Sequence, residues 1–190
     1  MAEPFRILGI VGSLRSASHN GRLVEAAWAL APAGVTVEQF SLRPVEFYDG
    51  DVEAAGDPPG VRALKAAIRE ADALIVATPE YNGAVPGVLQ NAIDWTSRPR
   101  GDASLTDKPV VVVSASPGPR GGARAHAALR QVLANAGARV VPGPTVTLGG
   151  ADAAFDANGQ LRDGAVRADL TALLTALVES SGVADERRVA

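Results

Sequence analysis

The feature that most limits what this chain can fold into is a set of short, nearly unbroken apolar runs alternating with segments of helical spacing. Phe5–Val11, Ala73–Thr78 and Val110–Ser114 carry almost no polar side chains. A strand with one face in water alternates polar and apolar residues, whereas a strand covered on both faces does not. These runs predict buried strands of a parallel sheet, and Val35–Phe40 and Arg139–Leu148 are the two further strand candidates. Between them, Leu23, Val24, Ala27, Leu30 and Ala31 fall on one helical stripe, and Val61, Leu64, Ile68 and Ala71 on a second. Val85, Val88, Leu89, Ala92 and Ile93 make a third, Gly122–Ala136 keeps the same period, and Val166, Leu170, Leu173, Leu174, Leu177 and Val178 make the last.

Five strands alternating with five helices imply right-handed βαβ units and an α/β three-layer sandwich, with helices on both faces of the sheet. For 190 residues the expected arrangement is one domain over 1–183 with a five-stranded parallel sheet in the flavodoxin-like order 2-1-3-4-5. Residues 184–190 read as a flexible tail, and Arg43–Pro59, rich in Pro, Gly and acid, as a surface loop. Ligands of such a sheet bind outside the carboxyl ends of the central strands, where the order reverses between strands 1 and 3.

Composition narrows the chemistry. The chain has no cysteine, which excludes disulfides, thiolate nucleophiles and Cys-based metal or iron–sulfur sites. His19 and His126 are far apart and match no metal spacing, and Gly-x-Ser-x-Gly is missing. Redox chemistry on this chain therefore requires a bound organic cofactor. A net charge of −3 argues against a broad nucleic-acid surface. No apolar run approaches the roughly 20 residues of a membrane span. Met1-Ala2-Glu3-Pro4 lacks the regions of a signal peptide, so a soluble, cytoplasmic protein is expected.

Three unusual loops follow the first, third and fourth strands. Gly12-Ser13-Leu14-Arg15-Ser16-Ala17-Ser18-His19-Asn20 enters a helix, where free N–H groups and the positive helix end attract a phosphate. It matches neither Gly-x-Gly-x-x-Gly nor Gly-x4-Gly-Lys-Ser/Thr. Ser13, Ser18 and Asn20 can instead hydrogen-bond phosphate oxygens, and Arg15 supplies charge in a fork, as a mononucleotide requires. Thr78-Pro79-Glu80-Tyr81-Asn82-Gly83 has two readings: a wall for a planar heterocycle, or a tight turn whose Pro, Asn and Gly serve the backbone. Glu80 reads as a general base or as a solvated loop acid. Ser114–Arg124, with its glycines, lets backbone approach a ligand or simply connects into the next helix.

Gly12-Ser13-x-Arg15-x-x-Ser18-x-Asn20, Pro79-Glu80-Tyr81-Asn82 and Ser116-x-Gly118-x-x-Gly121-Gly122 together resemble the NAD(P)H-dependent FMN reductase family, and within it the bacterial quinone, chromate and azo-dye reductases. The resemblance spans about residues 5–180. It implies that Ser13, Arg15, Ser18 and Asn20 hold the FMN phosphate, and that Pro79, Glu80, Tyr81, Asn82 and Gly83 line the flavin ring, largely through backbone. Ser116, Gly118 and Gly121 would close the other side, with Tyr81 and Asn82 shaping the substrate face. It further implies hydride transfer from NADPH or NADH to flavin N5 and then to a small acceptor, in ping-pong order, with no strictly catalytic side chain. Arg120 and Arg124 are candidates for cofactor phosphates. Family members form homodimers, often paired into homotetramers, through the helix that is Val85–Trp95 here, so Trp95 is expected in a subunit contact. The rival readings are a flavodoxin-type electron carrier, and a flavin-free interaction protein on the same fold.

Overall fold

The computed structural model describes residues 3–181, so the expected tail over 184–190 lies outside the described residues. Strand β1 (Phe5–Val11) is followed by α1 (His19–Ala29), β2 (Val35–Phe40), α2 (Gly50–Ala55), α3 (Pro59–Glu70) and β3 (Ala73–Thr78). Then come α4 (Gly87–Thr96), β4 (Pro109–Ala115), α5 (Ala123–Asn135), β5 (Arg139–Val140), β6 (Val146–Leu148) and α6 (Gly164–Ser180). The sheet runs β2-β1-β3-β4-β5 with every neighbouring pair parallel, and β6 also pairs with β4. This is the flavodoxin-like order that the apolar runs predict.

The pleat sends alternate residues of each central strand to opposite layers. Ile7, Val11, Ile75, Ala77, Val111 and Val113 pack with α1 and α6, around Leu23, Val24, Leu170, Leu173 and Leu177. Leu8, Ile10, Leu74, Val76, Val110 and Val112 pack with α3, α4 and α5, around Leu64, Ile68, Leu89, Ile93, Leu129 and Leu133. Burial on both faces explains why these strands show no alternation. The register keeps the carboxyl ends level: Val11 pairs with Ala77 and Ala77 with Val113. The loops after β1, β3 and β4 therefore leave the sheet side by side.

Three expectations change. The segment expected as one strand over Arg139–Leu148 is two short strands on the same edge of β4, interrupted at Pro142-Gly143-Pro144, because proline supplies no N–H to a ladder. The segment expected as a loop over Arg43–Pro59 contains α2, capped by Asp49, which accepts from the Asp51 N–H. It is pinned onto α4: the Tyr48 N–H donates to Asn91 Oδ1 at 2.7 Å, while Asn91 Nδ2 and Trp95 Nε1 donate to the Glu46 carbonyl at 3.0 and 2.8 Å. Trp95 is consequently fully buried inside the subunit, edge-on to Tyr48 with ring centroids 5.0 Å apart. It does not supply the exposed interface surface expected of it.

Candidate functional site

The loop between β1 and α1 starts where the Gly12 N–H donates to the Ala77 carbonyl at 2.8 Å. Ser18 is the N-cap of α1, and its Oγ accepts from the Gly21 N–H at 3.1 Å, which leaves its hydroxyl proton free to donate. Ser13 Oγ has only long contacts, 3.4 Å from the Arg15 nitrogen and 3.5 Å from the Tyr81 hydroxyl. Arg15 is exposed. The neighbouring Arg43 guanidinium donates to the Leu14 carbonyl and braces the loop from β2. Asn20 is different. Its buried side chain accepts from the Ala115 N–H and donates to the Ala115 carbonyl, both at 2.9 Å. Both ends of the amide are engaged at the end of β4, with one Nδ2–H left over, so Asn20 braces the two walls as well as lining the cavity. Its own N–H, in the first helical turn, has no partner within the helix.

After β3, the Tyr81 and Ala84 backbones exchange hydrogen bonds at 3.2 and 3.0 Å around Asn82 and Gly83, whose φ angles are 54° and 77°. Two consecutive left-handed residues are the tight turn that Asn-Gly favours, so both are selected by backbone geometry. Tyr81 stands on this turn, 47% exposed. Glu80 is neither base nor idle acid: its Oε2 accepts from the Arg124 and Ala125 N–H groups at 3.0 and 3.2 Å. It thereby satisfies the start of α5, whose own cap residue Gly122 offers no side chain.

The loop after β4 consumes its polar groups internally. Ser114 Oγ donates to the Gly121 carbonyl at 2.7 Å, Ser116 Oγ accepts from the Gly118 N–H at 3.2 Å, and the Ser116 N–H donates to the Leu148 carbonyl at 3.0 Å. Gly121 has φ +59°, and a Cβ there would lie 2.5 Å from the Thr147 carbonyl carbon, so packing against β6 demands it. Gly118 is the reverse: a Cβ there would meet only Ser116 Oγ, at 3.6 Å, so packing does not demand glycine at this position.

Ser13, Arg15, Ser18, Asn20, Pro79, Glu80, Tyr81 and Ser116 converge on one cavity of about 80 Å³. Asn82, Gly83, Gly118 and Gly121 are not on its lining. His19, Ala115 and Pro117 also line it. His19 was legible only as part of the loop; its Nε2 lies 3.1 Å from Asp152 Oδ1, a residue far along the chain. The other histidine, His126, is buried with Nε2–H donating to the Val112 carbonyl at 3.0 Å, and burial lowers its pKa. A larger crevice of about 700 Å³ runs past Asp94, Arg98, Arg100 and Asn135. It sits at the carboxyl ends of α4 and α5, opposite the edge where this fold binds ligands.

The model of the family described as NADPH-dependent FMN reductase matches residues 5–153. The chain belongs to this family. An NAD(P)H-dependent FMN reductase of Pseudomonas aeruginosa is 42% identical over 177 residues, covering 93% of this chain and 95% of that protein. A quinone reductase of Escherichia coli K12 is 39% identical over 182 residues, covering 94% and 96%. Among solved structures, the flavoenzyme NAD(P)H:(acceptor) oxidoreductase of Paracoccus denitrificans superposes with a TM-score of 0.84 at 33% identity, covering 93% and 96%. As a member of the NADPH-dependent FMN reductase family the protein is an oxidoreductase using FMN and a nicotinamide co-substrate. The residues present fit FMN: hydroxyls and a guanidinium at a helix start suit its phosphate, and Pro79 and Tyr81 on the same lining suit a planar ring.

Proposed function

We propose that the protein is an FMN-dependent NAD(P)H oxidoreductase that reduces quinone-like acceptors, with azo dyes, chromate and free flavin as further candidates for the same open site. The observation that carries this reading is the convergence of Ser13, Arg15 and Ser18 with Tyr81 and Ser116 on one cavity at the carboxyl edge of the sheet. Ser13, Arg15 and Ser18 hold the phosphate with side chains, and Asn20 offers its backbone N–H. Pro79 and Tyr81 form the wall for the ring, with the Asn82-Gly83 turn fixing how Tyr81 stands. Glu80 and Gly121 act one step back, holding α5 and β6 in place. Ser116 keeps a hydroxyl proton for the ligand. When bound, FMN supplies the redox chemistry, taking hydride from the nicotinamide and passing it to the acceptor; the chain's own residues bind, orient and shield it.

Nicotinamide and acceptor share the open face beside Tyr81 in turn, so double-reciprocal plots are parallel. The deciding assay crosses NADPH and NADH with a benzoquinone and an azo dye on the purified protein. Steady nicotinamide oxidation with no partner protein supports the enzyme; oxidation that needs an added protein partner supports the flavodoxin-type carrier instead. A requirement for NAD(P)H also supports cytoplasmic residence, and among the described residues no helix is long and apolar enough to cross a membrane. The same reading includes self-association as a homodimer, paired into a homotetramer, along α4. Phe47 supports it: it is 85% exposed although both its neighbours are hydrogen-bonded to α4.

A further inference from the structure

His19 Nδ1 is a buried side-chain polar atom with no hydrogen-bond partner among the described residues. Its ring is only 17% exposed and lines the same cavity as Ser18 and Ser116. The other ring nitrogen, Nε2, lies 3.1 Å from Asp152 Oδ1. A carboxylate accepts and does not donate, so Asp152 places the ring proton on Nε2. In the neutral imidazole Nδ1 then carries a lone pair, and what completes it is a hydroxyl or N–H donor. A fully ionised phosphate has no proton to give. The polyol chain between the ring and the phosphate of a flavin mononucleotide has several.

We infer that His19, oriented by Asp152, is the acceptor for a hydroxyl of the flavin's ribityl chain. This rests on the FMN reading above and adds a binding residue to it, separate from the phosphate ligands. Pairing a buried acceptor is also why the imidazole repays its place at the first position of α1, where helix propensity does not favour histidine. The charged groups around the cavity do not compete for Nδ1: Glu80 is occupied by the start of α5. Arg22, one turn along α1, stacks on Phe155 at 4.3 Å. Arg15 is exposed at the rim.

The test is flavin binding, read by fluorescence quenching of the apoprotein with FMN, riboflavin and lumiflavin, which lacks the ribityl chain. His19→Phe keeps a ring of similar size without the acceptor. It is expected to weaken FMN and riboflavin alike, by roughly fivefold for one neutral hydrogen bond, and to leave lumiflavin unchanged. Asp152→Ala, which frees the imidazole to turn, is expected to give a smaller loss with the same pattern. Loss with FMN alone overturns the inference in favour of a phosphate contact. Equal loss with lumiflavin overturns it in favour of a purely structural role, and so does no change with any flavin. Failure of the unaltered protein to bind FMN overturns the FMN reading itself.

Discussion

The loops Gly12–Asn20 and Ser114–Gly122 border the same cavity, yet they treat their polar groups in opposite ways. In the first, Ser13, Arg15 and Ser18 keep donor capacity uncommitted among the described residues, while His19 meets Asp152 and Asn20 meets Ala115 of the other wall. In the second, the Ser114 hydroxyl and the Gly118 and Ser116 amides are spent on the chain itself, on Gly121, Ser116 and Leu148, and only the Ser116 hydroxyl keeps its proton. Gly121 is there because β6 leaves no room for a Cβ. One wall therefore presents unspent side-chain donors at a helix start, and the other is mostly a self-bonded backbone surface. Similar-looking loops rich in Ser and Gly thus differ: one keeps side-chain donors available, and the other is shaped mostly by bonds within its own backbone.

That division breaks in predictable places. The largest expected effect is from Gly121→Ala, which forces both a left-handed φ and a clash with Thr147; a stability loss of about 3 kcal/mol is expected by denaturant unfolding. Retained stability would mean the second wall is not rigid. Next, Asn20→Ala strands the buried Ala115 N–H and carbonyl, costing about 2 kcal/mol. It is expected to lower the melting temperature of the apoprotein, an effect a pure ligand residue would not have. Smaller still, Glu80→Ala removes the surrogate cap of α5 at about 1 kcal/mol. It should leave the pH dependence of turnover unchanged; loss of a titrating limb would restore Glu80 as a base.

Most of this was legible in the sequence. Strands covered on both faces announce themselves as unbroken apolar runs, so β1, β3 and β4 were legible as the buried strands of a parallel sheet. The unusual character of the first loop was legible because Ser13, Arg15 and Ser18 exceed what capping alone requires. What escaped was set by long-range contacts. Asn20 reads only as a ligand in the sequence, and its bonds to Ala115, distant in sequence, emerge only in the fold. Trp95 looks like an interface residue until the segment around Glu46 and Tyr48 folds over it. Pro142 and Pro144 were visible signals that Arg139–Leu148 could not pair throughout, and they outweigh its apolar residues. The pairing of His19 with Asp152 had no local signature at all.

The central claim is that the side chains of the first loop hold the cofactor by its phosphate. It is tested most directly by Arg15→Ala, titrated as apoprotein with FMN and with riboflavin. The account predicts unchanged stability, unchanged riboflavin affinity and FMN binding weakened by about tenfold, the loss of one charge-assisted contact. Unchanged FMN affinity, or an equal loss for both flavins, would contradict it.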